Sequence, residues 1–160
     1  MSWRFRRISE LLSDLRNELL SLSDSGTPLF REVLIGPAAT PAEAERLLDQ
    51  CVGTPSAVIL PGAVTHPRPG ARNQREVRLA IYLRATSREA TPQQPGAIHD
   101  LADRLCEQLL PDPTRPQTPR LLAGVAWEPL GQESLPPSAA GEWAVVHLLA
   151  RDFRGPHPTP

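Results

Sequence analysis

The stretch EVRLAIYLRA, residues 76–85, decides the fold, because apolar and more polar side chains alternate along its length. Its apolar side is formed by Val77, Leu79, Ile81 and Leu83. A period of two residues indicates a β-strand, since successive side chains of a strand point to opposite faces. We therefore predict a strand here with one face against the hydrophobic core.

Apolar runs on both sides of this stretch supply its partner strands. Upstream, SAVIL at residues 56–60 is typical of a short buried strand, and we expect Pro61-Gly62 to end it. Downstream, WAVVHLLARDF at residues 143–153 is apolar on nearly both faces, which predicts a central position in the sheet. Shorter strands are expected at residues 30–35 and 121–129.

Three stretches repeat their apolar residues at the spacing of an amphipathic helix. They cover residues 8–22, 40–51 and 96–110. Ser9 or a neighbour is expected to cap the first helix. In the second, Thr40 is the expected cap, Pro41 suits the first helical position, and Glu43 would complete a capping box.

The predicted elements follow one another as helix, strand, helix, strand, strand, helix, strand, strand. This order predicts an α+β domain, with a mixed, mostly antiparallel sheet of about four to five strands and helices packed against it. Residues 62–75 and 130–141 are rich in proline, glycine and polar side chains and are predicted to be loops and turns. A chain of 160 residues fits one domain, which we assign to residues 1–154, and residues 155–160 are expected to be a disordered tail.

The composition argues against several classes of protein. The formal net charge is −1, so no basic excess points to nucleic acid. All 17 basic side chains are arginine, which either a genome rich in G and C or a use in interface ion pairs would explain. Without lysine the chain cannot contain a phosphate-binding loop of the GxxxxGK type.

Residue patterns typical of catalysis or metal binding are missing from the sequence. The four histidines, His66, His99, His147 and His157, are not at metal-ligand spacing, and no serine lies in a GxSxG turn. Both cysteines, at 51 and 106, lie among leucines in helical patterns, which favours buried free thiols. We therefore predict neither an enzyme nor a bound cofactor or metal. No apolar run is long enough to span a bilayer, so no membrane partner is expected.

An arginine-bearing loop is the first candidate contact site. Arg68, Arg72 and Arg75 lie close together in the segment 62–75. They could contact a protein partner or DNA phosphate, and the plain alternative is a solvated hairpin tip.

The N-terminal segment is the second candidate. Trp3 and Phe5 alternate with arginines, and exposed aromatic residues beside arginines are frequent at interface hot spots. The alternative is that both rings pack back onto the core.

Over residues 8–154 the sequence resembles phage tail terminator, or tail-completion, proteins, including those of contractile and prophage-derived tails. The resemblance lies in the order of the elements and in four motifs. They are PSAVILPG at 55–62, REVRLAIYLRA at 75–85, AIHDLADRLCEQLL at 97–110 and GEWAVVHLLARDFR at 141–154.

The resemblance implies a small α/β domain that closes into a hexameric ring on the last ring of the tail tube. Such a ring ends tube polymerisation and offers a docking surface to the head connector. It implies the tube protein, and possibly sheath and connector proteins, as partners, with DNA close by in the lumen, and no catalytic residues. The expected location is the tail of a virion or phage-like particle, assembled in the host cytoplasm. The alternatives are a head–tail joining adaptor of the same particle and, from another class, a small enzyme or regulatory binding domain.

Overall fold

The structure, a computed structural model, describes residues 2–66 and 73–157, which form helices and strands in irregular alternation. The helices are α1 (Ile8–Ser21), α2 (Pro41–Gln50) and α3 (Ala97–Leu109). The strands are β1 (Ser2–Arg4), β2 (Ser23–Asp24), β3 (Thr27–Pro28), β4 (Glu32–Ile35), β5 (Ser56–Thr65), β6 (Gln74–Arg84), β7 (Leu121–Leu122), β8 (Val125–Ser134), β9 (Trp143–Phe153) and β10 (Gly155–His157).

One sheet carries the fold, with six strands in the order β4-β5-β6-β9-β8-β7. Only the β4–β5 pair is parallel; the other neighbours are antiparallel. The predicted α+β class is therefore confirmed, with one or two strands more than expected. The alternating stretch forms most of β6, and β9 lies between β6 and β8, as its apolar pattern on both faces predicts.

Two strands are longer than their sequences indicate. β5 does not end at Pro61-Gly62 but continues to Thr65, with a bulge between Pro61 and Val64. β8 likewise runs to Ser134, into the stretch predicted to be turns, with an irregularity between Pro129 and Gly131. A bulge leaves a residue out of the ladder, so proline and glycine are accommodated without ending the strand.

The first face of the sheet packs against α1 and α3. The leucine stripe of α1 is buried as predicted, with Leu11, Leu15 and Leu19 fully enclosed. The predicted apolar side of β6 lies in the same cluster, together with Ile98, Leu105 and Leu109 of α3. This layer is the main core of the protein.

The second face is covered over part of its area by α2. Ala44, Leu47 and Leu48 of this helix lie in a cluster with Tyr82 and Trp143 of the sheet. Thr40 caps α2 by accepting a hydrogen bond from the Glu43 backbone N–H at 3.3 Å, and Pro41 is the first helical residue. The Glu43 carboxylate pairs with Arg46.

The chain ends meet in a separate two-stranded ladder. β1 pairs antiparallel with β10, and Trp3 lies opposite Pro156. Residues 155–157 are therefore ordered in a strand, contrary to the disordered tail expected from residue 155 onward, because the N-terminal segment supplies a pairing partner. Residues 158–160 lie outside the described part of the chain. Among the described residues, no helix is both long and apolar enough to cross a membrane.

Candidate assembly surface

Arg75, a candidate contact residue from the arginine loop, lies inside the protein at the start of β6. Its Nε donates to Asp152 Oδ2 at 2.9 Å, and the two residues are register partners on β6 and β9. The side chains are only 11% and 7% exposed. One guanidinium nitrogen also donates to the Arg6 carbonyl at 2.7 Å, so Arg75 ties the N-terminal segment to the sheet.

The other two arginines of that loop, Arg68 and Arg72, lie outside the described residues. The prediction of a contact site at these two positions therefore stays a prediction.

Phe5 packs against Arg75 and His66 rather than onto the hydrophobic core. The Arg75 guanidinium carbon lies 4.6 Å from the centre of the Phe5 ring, a cation–π contact. The His66 ring meets the same ring edge-on, with 5.8 Å between centroids. Phe5 is thus half-buried and packs the N-terminal segment against the β5–β6 hairpin.

Trp3 is exposed, with 68% of its surface open to solvent. Its backbone is nevertheless held in place, because β1 pairs with β10 and an Arg154 guanidinium nitrogen donates to the Trp3 carbonyl at 2.7 Å. A large apolar side chain on a fixed backbone gives up little conformational entropy when a partner covers it.

Arginines surround the Trp3 backbone and form what we call the arginine cradle. It is a concavity of 510 Å³ lined by Trp3, Arg4, Phe5, Arg6, Arg7, Ile8, Arg75 and Arg154. Three of its five guanidinium groups have carboxylate partners: Arg4 with Glu10, Arg6 with Asp14, and Arg75 with Asp152. The side chains of Arg7 and Arg154 have no carboxylate partner within residues 2–66 and 73–157, so the cradle carries an excess of positive charge.

Glu10 lies beside the cradle, and hydrogen bonds from two cradle arginines favour its ionised form. The pKa of Glu10 is lowered, first by the hydrogen bond from the Arg4 side chain and then by that from the Arg7 backbone N–H. Arg7 is also the N-cap of α1, so the Glu10 contact fixes the direction in which the N-terminal segment leaves the helix.

Arg6 connects the cradle to the β7–β8 hairpin. Besides Asp14, its guanidinium hydrogen-bonds the carbonyl of Ala123. Ala123 and Gly124 form the two-residue turn of this hairpin, with φ of +54° and +72°. Positive φ at both central positions is the geometry of a type I′ turn, which is unfavourable for alanine, and the Arg6 contact stabilises it.

The end of the second sheet face that α2 does not cover is open to solvent. Arg78, His147, Arg151 and Phe153 are exposed there, Phe153 by 59%. A groove of 360 Å³ runs from this face to the C-terminal end of α3, where Leu110 is also exposed. His147 lies on this open face of a central strand.

The flank of α3 beside β8 forms a negatively charged surface, which we call the acidic edge. It consists of the exposed residues Asp103 and Glu107. Asp103 accepts a hydrogen bond from Gln132 Nε2 at 2.9 Å, which fixes it against β8. Neither carboxylate has an ion-pair partner among the described residues.

Cys106, the cysteine on α3, lies close to the carboxylates of the acidic edge. The pKa of the Cys106 thiol is raised, first by burial and then by the negative charges of Asp103 and Glu107. The pKa of the Cys51 thiol is also raised, chiefly by burial. Both cysteines are free, as predicted, but half-buried rather than fully buried.

A separate cleft of 530 Å³ lies between the β2–β3 hairpin and the N-terminal half of α3. Its charged lining residues are Asp24, Arg31 and Arg104, and Asp24 and Arg104 pair with each other at 3.2 Å. Within the described part of the chain, no group of three histidine, cysteine, aspartate or glutamate residues could hold a metal ion.

Comparison with known proteins assigns no family to the chain. No protein-family model matches it, and no curated protein matches it in sequence. The fold and surface define it as an α+β domain with an exposed aromatic residue, a basic concavity and an acidic edge at distinct places.

Proposed function

We propose that the protein is a phage-type tail terminator, a structural protein that forms a ring of about six copies on the end of the tail tube. There the ring ends tube polymerisation and provides the docking surface for the head connector. It acts in the tail of a virion or phage-like particle, after assembly in the host cytoplasm, and its function includes no chemical step.

The order of the main elements supports this function. Residues 8–154 contain α1, β4, α2, the β5–β6 hairpin, α3, and the β8–β9 pair, in the succession on which the resemblance to tail terminators rests. The long hairpin and the central β9 correspond to the motifs REVRLAIYLRA and GEWAVVHLLARDFR.

The exposed aromatic side chains at one end of the molecule are the observation that carries the assembly role. Trp3 lies on β1, and Phe153 directly precedes Arg154 and the β10 strand that pairs with β1. Two large exposed aromatic residues at one end, with arginines beside them, have the composition of a binding hot spot.

Measuring the mass of the purified protein in solution tests this role. We expect sedimentation equilibrium of the wild type to give about six monomer masses, in addition to the mass of any tube protein that is bound. Trp3→Ala should shift the equilibrium toward monomer, since a buried interface tryptophan contributes about 2 kcal/mol or more. Its own thermal unfolding should be unchanged, because the indole is exposed in the single chain.

Substituting another exposed apolar residue provides the matched control. Val52 is 95% exposed at the end of α2, away from the cradle, so Val52→Ala should leave the assembly intact. A wild type that stays monomeric in the presence of tube protein would contradict the proposed function.

A further inference from the structure

We propose that the arginine cradle of one copy binds the acidic edge of the next copy. This contact rests on the proposed ring, since it names the two surfaces by which successive subunits would meet.

The cradle has the charge and shape of a docking site for carboxylates. Its guanidinium groups are held by defined contacts, Arg75 by Asp152 and Arg6 by Asp14, so the concavity is formed before a partner arrives. Arg7 is exposed beside them and has no carboxylate partner among the described residues. A preformed site with spare positive charge binds carboxylates at little ordering cost.

The acidic edge has the matching properties. Asp103 and Glu107 are exposed, and neither pairs with an arginine among the described residues. Both carboxylates lie close enough to the Cys106 thiol to add to the effect of burial in raising its pKa. Asp103 is held by Gln132, so at least one carboxylate is presented in a fixed position.

The two surfaces are too far apart to meet within one chain. The cradle reaches the sheet at Ala123, just before β8, through the Arg6 side chain. The acidic edge is fixed to β8 at Gln132, nine residues further along, which corresponds to roughly 30 Å of extended chain. Different patches that match across copies produce a head-to-tail contact, and such a contact gives a ring when the rotation between copies closes.

A second copy fits the cradle better than nucleic acid does. Glu10 and Asp14 pair with cradle arginines and would repel a continuous row of phosphates, whereas a single carboxylate can approach Arg7 without lying beside them. The net charge of −1 gives no long-range attraction to DNA. The exposed Trp3 indole at the rim also suits a protein surface.

Charge reversal on each side, and then on both together, tests the contact. We expect Arg7→Glu and Glu107→Arg each to weaken self-association by about tenfold or more. The double variant should recover most of the affinity, because the reversed cradle then meets a reversed edge. Sedimentation equilibrium over a concentration series measures all three, and circular dichroism checks the fold.

Two reversals at exposed residues elsewhere are the matched controls. Arg115→Glu and Glu89→Arg make the same changes of charge outside both surfaces and should assemble as the wild type does. If a reversal within the contact unfolds the chain, Arg7→Gln and Glu107→Gln give the same comparison with a smaller expected loss.

The outcomes separate this contact from the function on which it rests. Rings that persist unchanged in both single variants would overturn the contact and leave the terminator ring standing. A wild type that forms no oligomer, even with tube protein, would overturn both. If Arg7→Glu lowered the affinity for duplex DNA and left self-association unchanged, the cradle would be a phosphate site and the contact would be wrong.

Discussion

Arginine side chains serve two purposes at the scale of single residues. Several are internal connectors: Arg75 joins β6 to β9 and to the N-terminal segment, and Arg84 pairs with Asp49 at 2.8 Å. Arg16 donates to the Val33 carbonyl at 2.7 Å, on the edge strand β4. The planar guanidinium suits such multiple contacts better than an ammonium group would. Arg7, by contrast, is exposed and has no carboxylate partner among the described residues.

The Arg75–Asp152 pair gives a prediction for the stability of the single chain. Arg75→Met should lower the free energy of unfolding by about 3–5 kcal/mol, because it leaves the buried Asp152 carboxylate without its partner. The double variant Arg75→Met/Asp152→Leu should recover most of that loss. Urea denaturation measures both. A single variant that loses less than about 1 kcal/mol would show that the pair behaves as a surface ion pair.

At the scale of elements, the patterned strands and helices could be predicted, whereas the bulged and short strands could not. β6 and the α1 stripe have strong local periodicity, β9 is apolar on nearly both faces, and each formed as expected. β5 beyond Pro61 and β8 beyond Pro129 depend on bulges, which are set by the partner strand rather than by local sequence. The β1–β10 ladder joins three-residue strands from opposite ends of the chain, so neither has a detectable pattern alone.

The same holds for the candidate site: features set by neighbouring residues could be predicted, and features set by residues distant in sequence could not. The N-terminal aromatic residues were recognisable from their arginine neighbours, and Trp3 is exposed. The internal role of Arg75 required knowledge of Asp152, which is 77 residues away in sequence. The acidic edge escaped prediction because Asp103 is fixed by Gln132, which lies on β8 in a stretch interpreted as turns and meets the α3 flank only through the fold.

The thiol on α3 offers a test of the acidic edge that does not depend on assembly. In a Cys51→Ser background, the Cys106 thiol should react with an alkylating reagent only at a pH above that of an unhindered cysteine, since burial and two carboxylates raise its pKa. Glu107→Gln removes one of those negative charges and should lower the pKa. Glu89→Gln, outside the edge, should leave it unchanged. An identical pH profile in Glu107→Gln would show that Glu107 does not act on the thiol.

At the scale of the whole molecule, the helix-covered areas of the sheet form the core, and the other areas are open to solvent. The main core beneath α1 and α3 and the smaller cluster beneath α2 hold the sheet together. The open end of the second face, the arginine cradle and the acidic edge face outward at separate places on the sheet. A subunit with several different contact surfaces is what a ring between a tube and a connector requires.

The most direct measurement is electron microscopy of tail tubes polymerised with the protein added in small amounts. We predict that tubes stop growing and that each finished tube bears a ring of extra density at one end, made of about six copies. Trp3→Ala, added at the same concentration, should leave the tubes long and uncapped. Tubes of unchanged length without end density in the presence of wild-type protein would contradict the account, and binding to the connector alone would assign the protein to head–tail joining.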